Sequence, residues 1–260
     1  MSDEQPVRCE VGGGVARITL DRETRRNALS NAAIAALDQA FAKVAADPSV
    51  RVIVLTGAGE KAFCAGADLS GGAGIFAEGG AQTTLPMANL LRRLRRVEQP
   101  IVARVNGACM AGGMALLAAA DLAIAADHAR FGLPEARIGV FPMQVLAILK
   151  PLLRPRDLAE LCLCADAIDA HRARDIGLVN AVAPAAELDA VVEATIARLL
   201  AGAPTALRRG KYALAAIASM TFEQAIAFAE GQVALQAATE DAREGVAAFN
   251  ERREPRWIGR

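Results

Sequence analysis

The sequence predicts an α/β core followed by a helical C-terminal region, and three observations lead there. β-branched runs alternate with helical periodicity as far as Pro155, helical patterning dominates after it, and residues 204–253 carry no strand signal. The 260 residues suffice for one large domain or a domain with a substantial appendage, and a composition 53% hydrophobic and 22% charged supplies a sizeable core.

Val15-Ala16-Arg17-Ile18-Thr19-Leu20 alternates as a half-buried strand. Ser30 precedes a run that puts Ile34, Leu37, Phe41 and Val44 on one helical face, and Asp47-Pro48 stops it. Residues 50–56 form a β-branched strand ending at Gly57, and residues 57–80 read as glycine-rich loop with at most one short helix. Residues 90–97 read as a basic helix closed by Glu98-Gln99-Pro100, with Arg92, Arg93, Arg95 and Arg96 on its solvated face. A buried strand at 101–105 runs into Asn106-Gly107, a small-residue helix starts near Gly112, and 122–125 form another strand. Asp169 and Gly177 bracket a later helix as N-cap and C-terminal stop.

Lys+Arg and Asp+Glu both number 29, and this balance argues against a nucleic-acid coat, which needs clustered positive charge. The opening Met1-Ser2-Asp3-Glu4-Gln5-Pro6 is neither a signal nor a transit peptide, and the apolar stretch 108–126 is interrupted by Asp121. The expectation is a cytoplasmic protein with no nucleic-acid or membrane partner. Five cysteines (9, 64, 109, 162 and 164) in apolar surroundings read as buried thiols of a reducing compartment. With only His128 and His171 to assist, no metal site is expected.

Gly57-Ala58-Gly59-Glu60-Lys61-Ala62 follows a strand and fits a dinucleotide-binding pattern, with Glu78 near the spacing of a ribose-binding acid. That motif requires a long helix starting at the turn. Phe63-Cys64-Ala65-Gly66 and then Gly71-Gly72 interrupt any such helix, so the pattern is set aside.

Two other segments suit chemistry by backbone. They are Phe63-Cys64-Ala65-Gly66-Ala67-Asp68-Leu69 and Asn106-Gly107-Ala108-Cys109-Met110-Ala111-Gly112-Gly113. Small side chains let a ligand approach peptide N–H groups, and two such donors could polarise a thioester carbonyl and hold the enolate formed from it. Glycine also serves close helix–strand packing, and the residues alone leave both uses open.

These segments, in this order, resemble the paired motifs of the crotonase, or enoyl-CoA hydratase/isomerase, family. The likeness continues through Arg26-Asn27-Ala28-Leu29, Pro100-Ile101-Val102-Ala103, Phe131-Gly132-Leu133-Pro134-Glu135, Gly177-Leu178-Val179 and Thr239-Glu240-Asp241-Ala242-Arg243-Glu244-Gly245. The resemblance implies a crotonase-like ββα superhelix core at residues 1–200, with a helical trimerisation region at 201–260. It further implies an acyl-CoA substrate, coenzyme A entering only as part of that substrate, no permanently bound cofactor, and a homotrimer or dimer of trimers.

Carried over by position, the resemblance makes Ala67 and Gly112 the two amide donors, flanked by Gly66 and Gly113. Ala28, Ala65 and Leu69 line the adenine or pantetheine, Arg25 meets a phosphate, and Met143 shapes the acyl pocket together with Leu146 and residues 71–86. Asp68 lies beside the donors and is expected to cap the following helix. Glu135 corresponds to one of the two glutamates common in the family's hydratases. The other corresponds to Ala115, and Phe141-Pro142-Met143-Gln144-Val145-Leu146 lacks the glycine-rich run that hydratases often carry after the proline.

The first functional reading is therefore hydration of a 2-enoyl-CoA. Isomerisation between 3-enoyl and 2-enoyl thioesters through Glu135 alone is the alternative, and a non-catalytic acyl-CoA-binding or RNA-binding member is a third. Glu78 is a further acid worth testing, whereas Asp121 and Glu160 read as a strand-edge and a helix-surface charge. On the family analogy Phe249, Arg253 or Trp257 approaches a neighbouring subunit's pocket.

Overall fold

A computed structural model describes residues 5–70 and 85–260. The chain opens with β1 (Val7–Gly12) and β2 (Val15–Leu20), then α1 (Asn31–Ala46), β3 (Val52–Gly57), β4 (Ala62–Cys64) and α2 (Pro86–Leu94). It continues through β5 (Ile101–Val105), β6 (Ala108–Met110), α3 (Gly112–Ala118), β7 (Leu122–Ala126), β8 (Arg130–Gly132), α4 (Met143–Leu149) and α5 (Pro155–Leu163). β9 (Ile168–Asp169), α6 (Ala170–Asp175), β10 (Ala181–Ala183) and α7 (Leu188–Ala201) precede three last helices, α8 (Pro204–Ile217), α9 (Phe222–Ala237) and α10 (Glu240–Glu251).

Two sheets share this chain. One runs β1-β2-β3-β5-β7-β10 and the other β4-β6-β8-β9, so the pairs β3/β4, β5/β6 and β7/β8 each place one strand in each sheet before the chain turns into helix. β2, β3, β5, β7 and β10 are mutually parallel, and so are β4, β6 and β8. Each of these three turns thus advances both sheets by one strand.

Burial explains the strand compositions. Val52 and Val54 of β3 pack toward Val192 and Ile196 of α7, while Ile53 and Leu55 join Phe41, Phe63 and Phe131 on the opposite side. A strand buried on both faces needs the near-continuous apolar run that residues 50–56 present. α1 begins where Ser30 accepts a hydrogen bond from Ala33 N, and it buries Ile34, Leu37, Phe41 and Val44 as its periodicity predicts.

Several expectations are corrected. β4 lies inside the stretch read as loop, and β9 and β10 interrupt the region read as helix after helix. The basic helix starts at Pro86 and ends at Leu94, because proline suits the first helical position, whose N–H would be unpaired anyway. Arg93 pairs with Asp38 of α1. Cys9 and Cys164 are exposed, one on the edge strand β1 and the other at the end of α5, while Cys64, Cys109 and Cys162 are buried. Asp121 is no plain edge charge: its Oδ2 accepts from Ile101 N at 2.7 Å and pairs with Lys211 Nζ at 2.7 Å. Lys211 also donates to Gln99 O, which ties α8 to the mouth of β5. Glu78 and most of the 71–86 segment lie outside the described residues. Among the described residues no single helix is long and apolar enough to cross a membrane.

Two buried asparagines anchor β4 between its neighbours. Asn27 Nδ2 donates to Ala58 O at 3.0 Å and Ala62 O at 2.8 Å, and its Oδ1 accepts from Arg22 N. Asn106 Nδ2 donates to Gly59 O at 2.6 Å and Ala62 O at 3.1 Å, while Gly57 N donates to its Oδ1. Asn27→Ala takes the side-chain donor from Ala58 O and one of two from Ala62 O, and a buried group left without its partner costs about 1–3 kcal/mol. Urea unfolding of Asn27→Ala is expected to show a loss of that order, and an unchanged midpoint would contradict the anchoring.

Candidate active site

The second sheet brings the sequence-predicted residues together. β4, β6 and β8 are adjacent and parallel, so their C-terminal ends lie side by side. Ala65–Gly66–Ala67 follows β4, Ala111–Gly112 follows β6, and Pro134–Glu135 follows β8. Carboxyl ends of parallel strands are where open α/β sheets present their ligand sites.

Each candidate amide is aimed through the carbonyl of its own peptide. Ala67 sits in a parallel bridge with Leu29, in which Leu29 N donates to Gly66 O at 2.7 Å and Asp68 N donates to Leu29 O at 2.9 Å. A trans peptide is planar with N–H opposite C=O. Gly66 O faces Leu29, so Ala67 N–H faces away from it, and no acceptor meets that N–H among the described residues. In the second turn Met114 N donates to Ala111 O at 2.9 Å, which turns Gly112 N–H the other way, again with no acceptor among the described residues.

The two turns touch. A Cβ built on Gly66 would lie 2.5 Å from Ala111 Cβ and 3.4 Å from Gly112 N. Gly66 also has φ of +91°, a left-handed conformation that L side chains rarely adopt. Both requirements exclude any residue but glycine there.

Glu135 stands at the third strand end. Ala111 N donates to Gly132 O at 2.9 Å, which fixes the end of β8 against the second turn three residues before Glu135. The glutamate is 8% exposed, and its Oε2 is buried without a hydrogen-bond partner. Burial raises its pKa above the usual 4.5, and its charge in turn helps to raise that of the buried thiol Cys162. A partly desolvated carboxylate with one free oxygen, on the loop after the strand adjacent to the one that leads into Gly112, can exchange a proton with a group whose negative charge the amides hold.

The remaining predicted residues divide. Ala28 and Gly66 are buried, Ala65 and Ala67 are half-buried, and Leu69 and Arg25 are exposed around the same turns. Met143 opens α4 and is 69% exposed. Ala115 is fully buried in α3 among Met114, Leu116 and Leu117. Asp68 accepts from Ser70 N at 3.1 Å, as the capping expectation has it, and is also held by Ser70 Oγ at 2.7 Å and by Arg22 at 2.8 Å, interactions that bring its carboxyl down to about 2. Gly113 serves packing, since a Cβ there would lie 2.5 Å from Cys64 O.

Arg22, Asn27, Leu29 and Asn106 support the site without having been assigned to it by sequence. Arg22 donates to Ala28 O at 2.5 Å as well as to Asp68, which bolts the loop before α1 to the first turn. The asparagines stood in motifs that were visible, but their partners lie across strands that were not. Among the described residues no cluster of three or more His, Cys, Asp or Glu could hold a metal ion.

Comparison with known proteins bears on the family and the fold. The family model described as enoyl-CoA hydratase/isomerase matches residues 10–260. The (E)-benzylidenesuccinyl-CoA hydratase of Thauera aromatica is 33% identical over 259 residues, spanning 98% of this chain and 99% of that protein. The short-chain-enoyl-CoA hydratase of Clostridium acetobutylicum is 32% identical over 245 residues, 94% of each. The crystal structure of an enoyl-CoA hydratase from Mycobacterium smegmatis aligns with a TM-score of 0.90 at 32% identity, covering 98% of this chain and 99% of that one.

The raised pKa of Glu135 has a thermodynamic consequence. Its neutral form is favoured in the folded state, so its contribution is fully present below the ordinary carboxylate value and is lost as pH rises through the folded pKa. Glu135→Gln is therefore expected to unfold at higher urea than the parent at about pH 7.5 and to lose that advantage at about pH 4. An advantage independent of pH would show that the carboxylate is not held against its ionisation.

Proposed function

The chain belongs to the enoyl-CoA hydratase/isomerase family, and from that premise we propose that it adds water across the double bond of a 2-enoyl-CoA thioester. The observation that carries this reading is the buried, unpartnered oxygen of Glu135, three residues after Gly132, whose carbonyl accepts from Ala111 N in the turn of the Gly112 amide. The N–H groups of Ala67 and Gly112 receive the thioester oxygen. Negative charge accumulates on that oxygen when water attacks C3, and the donors stabilise the enolate more than the ground state.

With Ala115 in place of a second carboxylate, Glu135 performs both proton transfers. It takes a proton from the attacking water as the C3–O bond forms, and it returns that proton to C2 as the enolate collapses. One water is added and the carboxylate is regenerated. Desolvation makes Glu135 a stronger base than a solvated carboxylate, which suits removal of a proton from water.

Ala28, Ala65 and Leu69 line the path of the coenzyme A portion, Arg25 meets a phosphate, and Met143 borders the acyl end. Coenzyme A enters as part of the substrate, and the protein works in the cytoplasm. The C-terminal helices join subunits into a trimer or a dimer of trimers. α9 buries none of its residues, and Leu214, Phe222, Val233, Leu235 and Phe249 are exposed. Such surfaces belong in interfaces. Of the residues placed near a neighbour's pocket, Phe249 remains free at 83% exposure. Arg253 pairs with Glu244 and Glu251, and Trp257 donates to Ala201 O within its own chain.

Purified protein given 2-enoyl and 3-enoyl thioesters in isotopically labelled water is expected to incorporate label from the 2-enoyl substrate. Double-bond migration without label would replace hydration by isomerisation. Glu135→Gln should lower kcat by about 10²–10⁴ while the protein stays folded, and undiminished turnover would remove Glu135 from the mechanism. Light scattering at micromolar concentration should give three or six times the 27.1 kDa chain mass, whereas a monomer would rule the assembly out.

A further inference from the structure

Ala111 adopts φ of 52° and ψ of −122°. This is the conformation of the first central residue of a type II′ turn, a place that glycine normally takes because a Cβ is strained there. Strain of this kind persists only where the surroundings over-determine it, and it clusters at functional sites. The surroundings here are explicit. Ala111 N is held by Gly132 O at 2.9 Å, and Ala111 O accepts from Met114 N at 2.9 Å. The Ala111 methyl faces Gly66 so closely that a Cβ on Gly66 would approach it to 2.5 Å.

Glycine at 111 would take this backbone conformation without strain and would leave both hydrogen bonds possible. What the methyl adds is therefore local. It occupies the space between the two turns, with Gly112 on its own turn and Ala67 one residue beyond Gly66 on the other. It also removes freedom from the peptide joining residues 111 and 112, whose N–H end is the Gly112 donor.

We propose that Ala111 is a positioning residue of the oxyanion site: its methyl, seated against Gly66, sets the gap between the Ala67 and Gly112 amides, and its constrained backbone holds the Gly112 N–H in line. The proposal rests on the oxyanion reading given above. It assigns a fold-destabilising conformation to the part of the site where two donors must meet one oxygen, a geometry in which small displacements weaken both hydrogen bonds.

Ala111→Gly tests it, because relief of strain keeps the variant folded. Urea unfolding is expected to show stability equal to or above the parent's. Turnover is expected to fall about tenfold in kcat, with KM changed by less than about twofold, the pattern of an interaction realised in the transition state. The spectroscopic readout uses butyryl-CoA, a saturated thioester that cannot be hydrated. Difference infrared spectra should show its carbonyl stretch shifted to lower frequency on binding the parent and shifted less on binding Ala111→Gly. Ala111→Ser keeps a Cβ and should retain the parent's shift. Parental kcat and carbonyl shift in Ala111→Gly would overturn the proposal, and so would a fall in kcat with the shift unchanged, since Ala111 would then act elsewhere than on the donors. No shift in the parent protein itself would remove the oxyanion reading, and this proposal with it, which separates the two failures.

Discussion

Gly66 O accepts from Leu29 N and Ala111 O accepts from Met114 N, and these two hydrogen bonds decide where the N–H groups of Ala67 and Gly112 point. The reason is covalent: the peptide unit is planar and trans, so a carbonyl fixed on one side fixes an N–H on the other. Much of the structure serves to keep those carbonyls in place. The parallel pairing of β4, β6 and β8 aligns the turns, and Asn27 and Asn106 converge on Ala62 O to hold β4. Arg22 fastens Ala28 and Asp68 together. A site made of backbone donors depends on packing and hydrogen bonding around it more than on the side chains of the donor residues.

The carboxylate obeys the opposite logic. Glu135 is held where its charge is disfavoured and one oxygen lacks a partner, an arrangement that lowers stability and raises basicity together. Asp68, a few residues from the first donor, shows the contrast. Ser70 and Arg22 satisfy it and bring its pKa down to about 2, so it has little capacity to accept a proton near neutrality. Two carboxylates near one site thus take different duties because their surroundings push their pKa values apart.

Away from the site, the C-terminal helices are joined to the core by a few polar contacts. Lys211 reaches Asp121 and Gln99 O, while inside the C-terminal region the fully buried Asp241 accepts from Thr205, Ile258 N and Gly259 N and ties α10 to α8 and the last residues. α9 leaves Phe222, Val233 and Leu235 exposed, which is why assembly belongs to the functional proposal.

The sequence by itself determined the α/β class, the long strands of the first sheet, the amphipathic α1 and the helical end, because burial of a repeating face writes a period into the chain. It also located the two glycine-rich turns, Glu135 and the alanine at position 115, since residue identity at a position needs no folding to be read. It did not reveal β4, β6 and β8, which are three residues each and too short to carry a period. Those strands exist because each is paired with a partner more than twenty residues away in the chain. The tertiary structure alone decided that Asp68 is engaged by Arg22, that Gly113 packs on Cys64, that Glu135 is buried with a free oxygen, and that Ala111 is strained against Gly66. Each of these is a contact between segments distant in the chain, and no local pattern encodes which distant neighbour a residue will meet.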